Sequence, residues 1–181
     1  MIEFDFQPTL TGELIAMRPF IDADFDELYA VASDPLIWAV HPVPERAERR
    51  YFKANTDDAL ADKGGLVAIE RASAKIVGFS RYSQAYVGVG EIEIGWSVLA
   101  RRLWGGEYNR DMKRIMLTHA LASFPRVIFR VGAENFRSRA AMAKIGGTLI
   151  PWEETVTAFG RDTRYVAFEI TREGFASGLS G

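Results

Sequence analysis

The sequence LARRLWGGEYNRDMKRIML, which begins at Leu99, places two glycines where a helical pattern starts, with no side-chain cap before it. Gly105 and Gly106 have no Cβ, so an anion could approach the backbone there. The start of a helix offers unpaired N–H groups and the positive end of the helix dipole. Arg102 and Arg110 add positive charge nearby. The stretch therefore predicts a phosphate site, with a plain glycine turn as the alternative.

A second pair of polar residues opens the next predicted helix. Asn135 and Ser138 stand three residues apart, directly after the strand-like run RVIFRVG. Beside the first strand-turn-helix, they could present polar groups to a long ligand that lies between two strands. The alternative is that Asn135 only caps its own helix, as Asn commonly does.

The composition limits the class of protein. The chain has 181 residues, 48% of them hydrophobic, which suits one domain with a sizeable core. A net charge of −2 gives no basic surface for nucleic acid. The absence of cysteine excludes disulfides and thiolate chemistry, and two distant histidines do not predict a metal site. The acidic N-terminus is unlike a signal peptide and no run is long enough to cross a membrane, so we expect a soluble, cytoplasmic protein.

Hydrophobic periodicity predicts one strand, two helices, three strands, a helix, a strand, a helix and two strands, in that order. Three consecutive strands favour antiparallel pairing, and the later strand-helix-strand unit favours one parallel pair. The pattern thus indicates an α/β (α+β) fold with a mixed, mostly antiparallel sheet. Asp24 and Glu27 have capping-box spacing at the start of the first helix.

Strand alternation matters most in the run GEIEIGWSV, just before the glycines. It predicts one polar and one apolar face, made respectively of Glu91, Glu93 and Gly95 and of Ile92, Ile94 and Trp96.

Together, RRLWGGEYN and NFRSRAAMAKIGG resemble the GNAT N-acetyltransferase superfamily. The ribosomal-protein (RimJ/RimL-like) branch is the most similar part of this superfamily, on the stretches LIAMRPF, DFDELYAVASDPLIW and EIGW. The resemblance implies a single N-acetyltransferase domain over residues 1–181, with a core from about 13 to 170. It also implies about seven strands flanked by about four helices, with acetyl-CoA in a V-shaped gap between EIEIGWSV and RVIFRVG.

The same resemblance assigns the coenzyme contacts. Arg102 would head the pyrophosphate loop and Gly105 would fill its first glycine position, whereas Glu107 stands where the family has Gly or Ala. A carboxylate would repel the pyrophosphate unless it turns outward. The implied coenzyme-binding residues are Val98, Leu99, Arg102, Trp104, Gly105, Gly106, Tyr108, Asn109, Asn135 and Ser138.

The implied catalytic residues are Glu93 and Ser138. Glu93 would accept the proton of the amine, with Glu91 as a second candidate and a solvated strand face as the alternative. The backbone N–H groups of Val98 or Leu99 would polarise the thioester carbonyl. Many relatives carry a Tyr where this chain has Met142, so Ser138 would be the nearby hydroxyl.

The resemblance implies direct acetyl transfer from acetyl-CoA to a primary amine, with a protein N-terminus as the acceptor. Two alternatives stay open: acetylation of a small amine, and an acyl-CoA-binding domain without catalysis. His41 is a candidate for the acceptor pocket, because it follows the first helix. We expect no nucleic-acid or membrane partner and no metal, and the sequence leaves a homodimer open.

Overall fold

The computed structural model describes residues 4–178, which form a twisted eight-stranded sheet with helices on both faces. The strands are β1 (Leu10–Thr11), β2 (Ile15–Pro19), β3 (Gly65–Glu70), β4 (Lys75–Ser83), β5 (Glu91–Leu99), β6 (Arg126–Gly132), β7 (Thr148–Ala158) and β8 (Arg161–Thr171). The helices are α1 (Phe25–Ala32), α2 (Pro35–Trp38), α3 (Arg49–Ala61), α4 (Glu107–Ser123), α5 (Phe136–Lys144) and α6 (Arg172–Gly178). Short 3-10 turns occupy Asp22–Asp24, Pro44–Ala47 and Arg101–Leu103.

The sheet has the strand order β1-β2-β3-β4-β5-β6-β8-β7, and β5–β6 is its parallel pair. All other neighbouring strands are antiparallel. The mixed, mostly antiparallel α/β fold predicted from the sequence is therefore confirmed. The described residues form more elements than expected, because β1, α2 and α6 are short and leave little hydrophobic periodicity in the sequence.

Two apolar layers hold the helices against the sheet. α4 packs Met112, Ile115, Met116 and Ala120 onto one face, where all four side chains are buried, as its periodicity predicts. On the other face, α1 and α3 pack through a cluster that includes Leu28 and Phe52. Each face of the sheet therefore meets a different set of helices.

The parallel pair β5–β6 is short. Its register joins Glu91 to Arg126, Ile92 to Val127 and Glu93 to Ile128, and no pairing follows. Both strands continue, β5 to Leu99 and β6 to Gly132. We call the space between Gly95–Leu99 and Phe129–Gly132 the gap, and it is the V-shaped opening that the sequence predicted.

A β-bulge in β5 accompanies this parting. β4 pairs Arg81 with Gly95 and Phe79 with Val98, so β5 has one extra residue between these pairs. Trp96 adopts φ +52° within the bulge and packs against the α1–α3 cluster, whereas Ile92 and Ile94 face α4. The predicted common face for Ile92, Ile94 and Trp96 is therefore wrong, because the bulge interrupts the alternation.

The predicted capping box at Asp24 and Glu27 is also wrong. Asp24 precedes α1 without capping it through its side chain. Its carboxylate instead accepts from the Ile21 N–H and pairs with Arg18 at 2.7 Å. Glu27 accepts from the N–H of Ile76. Asp24 thus binds the preceding turn and Arg18 instead of capping α1, and Glu27 binds β4 instead of completing the box.

Asp111 on α4 anchors the β1–β2 turn. Its carboxylate accepts from the N–H groups of Glu13, Leu14 and Ile15 at 2.8–3.2 Å, and Arg114 pairs with it at 2.7 Å. Burial opposes ionisation, but these hydrogen bonds hold the pKa of Asp111 below its usual value. One buried carboxylate thus fixes α4 against the edge of the sheet.

Replacing Asp111 by Ala should destabilise the fold by about 3 kcal/mol, because three N–H groups lose a charged acceptor. Chemical denaturation at neutral pH measures this, with the exposed Asp26→Ala as a control that should change stability by less than about 1 kcal/mol. In the wild type, the contribution of Asp111 should be lost as the pH falls through its lowered pKa. An Asp111→Ala protein as stable as the control would contradict the anchoring role.

Candidate active site

The N-terminus of α4 is open and uncapped. Gly106 precedes the helix, and no side chain caps its first N–H groups. Gly105 has φ +75°, and a Cβ at Gly105 or Gly106 would meet no atom within 4 Å. The space before the helix therefore suits a phosphate group held by backbone donors.

The side chains of the loop turn away from that space. Arg102 forms a bidentate ion pair with Glu70 at 2.8 and 2.9 Å, and Arg101 pairs with Asp34 at 2.7 Å. Arg102, the hydroxyl of Ser73 and Tyr108 lower the pKa of Glu70 to about 2. Arg102 thus ties the loop to β3, an interaction that the sequence did not indicate.

Two other loop residues lie on the first turn of α4. Glu107 is exposed at the first position of the helix. Asn109 follows it on the first turn and is half-buried. The groups that the loop offers a ligand are thus mainly backbone N–H groups.

Trp104 packs beside the end of β5. Its indole N–H donates to the carbonyl of Leu99 at 2.9 Å. The guanidinium of Arg137 stacks over its ring at 4.0 Å and donates to the carbonyl of Ile37 at 2.5 Å. Arg137 therefore links α5 to α2 beside the glycine loop that precedes α4. The sequence offered no signal for this contact.

Asn135 and Ser138 begin α5 beyond the end of β6. The Asn135 side chain accepts from the Ser138 N–H at 3.1 Å, so the capping role of Asn135 is confirmed. The hydroxyl-bearing Ser138 is half-buried on this first turn. Met142 is buried in the core on the α4 side and offers no proton.

Glu93 lies at the vertex of the gap and is 3% exposed, so a solvated strand face is wrong for this residue. Both of its carboxylate oxygens accept from Nε of Arg130, at 3.1 and 3.2 Å. Burial raises the pKa of Glu93, and Arg130 opposes that rise. Glu91 lies two residues earlier, in an ion pair with Arg126.

Lys113 reaches the gap from the α4 side. The residue is 3% exposed, and its Nζ donates to the Ser97 hydroxyl at 2.5 Å. Burial lowers the pKa of Lys113 to about 7. Neither residue was singled out from the sequence, because a lysine beside an apolar helix stripe reads as a surface residue.

The two histidines lie apart. His41 helps line a cleft of about 370 Å³ beside Gly132 and Asn135. Burial lowers its pKa to about 3, and its Nδ1 accepts from the Val43 N–H, so neutral His41 carries its proton on Nε2. His119 lies on α4, where its ring bonds the carbonyl of Asp5.

Within residues 4–178, no group of three His, Asp or Glu side chains is arranged to hold a metal ion. Over the same residues, no helix combines the length and apolar character needed to cross a membrane.

Comparison with known families agrees with this geometry. A profile described as the acetyltransferase (GNAT) domain matches residues 15–148. The chain belongs to the GNAT acetyltransferase family. It is accordingly an N-acetyltransferase, whose acyl donor is acetyl-CoA. No curated protein matches the sequence.

Solved structures of other GNAT proteins share the fold. A GCN5-related N-acetyltransferase from Brucella melitensis is 19% identical with a TM-score of 0.81, over 96% of this chain and 83% of that chain. Mycobacterium smegmatis RimJ in complex with CoA-disulfide is 17% identical with a TM-score of 0.72, over 96% and 92%. Spermidine N-acetyltransferase from Vibrio cholerae, in complex with CoA and spermine, is 13% identical with a TM-score of 0.69, over 90% and 98%.

Burial of Lys113 should make the stability of this GNAT protein depend on pH. Its folded pKa is about 7 against 10.5 for an ordinary lysine, so the unfolded chain binds more protons between these values. The free energy of unfolding should therefore rise with pH across that window, by up to about 1.4 kcal/mol per pH unit. Lys113→Met should remove this slope, as measured by denaturation at several pH values.

The exposed Lys75→Met is the matched control and should keep the wild-type slope. Identical slopes for Lys113→Met and the wild type would show that Lys113 is an ordinary lysine in the folded protein.

Proposed function

We propose that this acetyltransferase moves the acetyl group of acetyl-CoA directly to a primary amine at the N-terminus of a polypeptide. The observation that carries the proposal is the parting of β5 and β6 beyond Glu93 and Ile128, with the uncapped start of α4 after β5. An extended ligand fits such a gap, and a phosphate fits the helix end. The chain has no cysteine, which favours direct transfer over a thioester-linked enzyme.

In this proposal, the coenzyme is held mainly by the backbone. The N–H groups of Gly105, Gly106, Tyr108 and Asn109 bind the pyrophosphate, and the Arg102 side chain keeps their loop in place through Glu70. Five further residues line the path to the reacting carbonyl: Val98, Leu99, Trp104, Asn135 and Ser138. In this proposal the loop binds the pyrophosphate through its backbone shape and the helix dipole more than through arginine charge.

Glu93 is the proposed general base. An α-amino group has a pKa of about 7.7–8.0 and must lose a proton to attack the thioester. A carboxylate whose pKa is raised by burial is better matched to that proton than an exposed one. Its position at the vertex of the gap, on the face opposite α4, assigns the amine to that face.

The charges on that face favour a peptide over a polyamine. Arg81 is 5% exposed and stacks on Trp96, and its buried Nε has no hydrogen-bond partner among the described residues. Arg81 forms an ion pair with Asp62, whereas the guanidinium of Arg46 has no ion pair within residues 4–178, and burial lowers its pKa. Arg130 is compensated by Glu93 and Glu154, so Arg46 is the cation that would oppose a polycation such as a polyamine.

A peptide N-terminus brings one amine and several carbonyl acceptors, which suit the Arg46 guanidinium and the unpartnered Nε of Arg81. The RimJ-like branch is therefore the proposed subgroup. A small amine that also carries an anionic group is the second candidate, because the same arginines would bind that group.

A binding domain without catalysis was the alternative that the sequence left open. The features behind it are Glu107 in the phosphate loop and Met142 at the usual tyrosine position. Glu107 is exposed, so its side chain has room to turn away from a bound phosphate. The titration and turnover experiments below test both features.

Titration of the purified protein with acetyl-CoA by calorimetry tests the coenzyme site. We expect micromolar affinity in the wild type and a loss of at least about tenfold in Gly105→Asp, which puts a carboxylate where the phosphate binds. Gly160→Asp is the matched control, because Gly160 has the same kind of positive φ (+71°) and open surroundings in the β7–β8 turn. No binding to the wild type, or equal binding to both variants, would contradict the proposed site.

Replacing Glu93 by Gln tests the base. We expect kcat to fall by about 10²–10⁴ with acetyl-CoA affinity retained, because proton removal is lost while the loop is intact. Thiol release with a peptide carrying a free N-terminus measures kcat, and spermidine is the comparison acceptor. Glu91→Gln, which alters the other candidate carboxylate, should keep most of the activity. Unchanged turnover in Glu93→Gln would remove Glu93 from the mechanism.

A further inference from the structure

Lys113 is a buried amine whose position the proposed roles above do not use. It projects from the second turn of α4 to the floor of the gap, between the two parted strands. Its Nζ lies 2.5 Å from the Ser97 hydroxyl on β5 and 5.4 Å from the ring centre of Phe129 on β6. It therefore bridges both walls of the gap just past the point where their pairing ends.

Ser97 is the exposed partner of this pair. It occupies the β5 bulge, directly before Val98, and is open to solvent while Lys113 is not. Its hydroxyl also lies 2.8 Å from that of Ser80, which donates to the carbonyl of Gly95 at 3.2 Å. This chain holds the Ser97 oxygen in place while leaving that residue accessible from the gap.

Uncharged groups face the amine from both strands. β5 presents Ser97 and β6 presents Phe129, whereas Glu93 and Arg130 pair with each other at the vertex. On α4, Asp111 points to the β1–β2 turn and pairs with Arg114. Within residues 4–178, no carboxylate lies within ion-pair distance of Lys113, so burial alone shifts its pKa.

Burial of this lysine would destabilise the fold if the side chain served only to fill the core. A buried ammonium without a counterion is among the least favourable groups in a protein interior, and an apolar side chain would fill the same place without that cost. The location at the gap supplies a reason for the lysine that core packing does not.

We propose that Ser97 and Lys113 form the proton donor for the sulfur end of the acyl donor. Ser97 is the catalytic hydroxyl, and Lys113 is the positioning residue that supplies its proton. The inference rests on the proposed function, because it requires the thioester to enter the gap. It fills the place left by Met142, which cannot donate.

The step balances with the groups named. The amine attacks the thioester carbonyl and gives a proton to Glu93, and the C–S bond then breaks with its electron pair on sulfur. The thiolate takes the Ser97 proton, and Ser97 takes one from the Lys113 ammonium, which becomes neutral. Glu93 returns its proton to solvent and Lys113 regains one, so the products are the amide and the free thiol.

The proposed base and the proposed source of the proton lie on opposite faces of the sheet. Glu93 approaches the gap from the face opposite α4, and Lys113 approaches it from the α4 face. Removing a proton on one face and supplying one on the other keeps the carboxylate from neutralising the ammonium.

A titration of lysine resonances tests the contact without turnover. The chain has five lysines, so ¹³C-lysine labelling gives a small set of side-chain signals. We expect one signal, absent from Lys113→Met, to titrate near neutral pH. Adding CoA should raise its midpoint by about 1 pH unit or more, because the thiolate favours the ammonium. Desulfo-CoA, which lacks the sulfur, should leave the midpoint of this signal unchanged.

Kinetics of acetyl transfer supply the second readout. The wild-type kcat should fall as the pH rises through the Lys113 pKa, and Lys113→Met should lose that falling limb. Its kcat near neutral pH should drop about 10²-fold with acetyl-CoA affinity retained. Ser97→Ala should show a similar loss, and Ser97→Thr, which keeps the hydroxyl, should recover activity. Lys75→Met should behave as the wild type.

The outcomes separate the two proposals. No binding of CoA would overturn both the proposed function and this inference. Binding and turnover with equal lysine midpoints for CoA and desulfo-CoA would overturn this inference alone. An unaltered pH profile in Lys113→Met would do the same, and would leave Lys113 a structural residue.

Discussion

The parting of β5 from β6 is the constraint on which the rest of the site depends. Parallel pairing stops at Glu93 and Ile128, and the bulge at Trp96 turns the following residues of β5 away from β6. Unpaired strands inside a sheet leave backbone donors and acceptors without ladder partners, which a ligand can satisfy. The same bulge places Ser97 at the wall of the gap.

Charged groups gather around this opening because the gap interrupts the apolar layers. Glu93 and Arg130 pair at the vertex, and Lys113 approaches from the other side of the sheet. Burial shifts the pKa of the carboxyl upward and that of the amine downward, so both approach the range in which proton transfer is useful. An acetyl transfer needs a base for the amine and a proton for the thiol, and the sheet separates the two.

Much of the architecture follows from patterns that operate within one element. The apolar stripe of α4, the Asn135 cap and the glycines before α4 were all readable, because periodicity and capping depend on neighbours in sequence. The errors share one cause, which is competition from distant partners. Asp24 binds Arg18 instead of capping α1, and Trp96 leaves its expected face because β4 and β5 differ by one residue.

By itself, the sequence determined the order of the elements, the uncapped glycine start of α4 and the family, since these rest on local spacing and residue type. The tertiary structure decided how the side chains are used. It turned Arg102 onto Glu70, buried Glu93 against Arg130 and brought Lys113 to Ser97, sixteen residues away. Burial and its effect on charge come from what the fold places around a residue, and no local pattern contains that information.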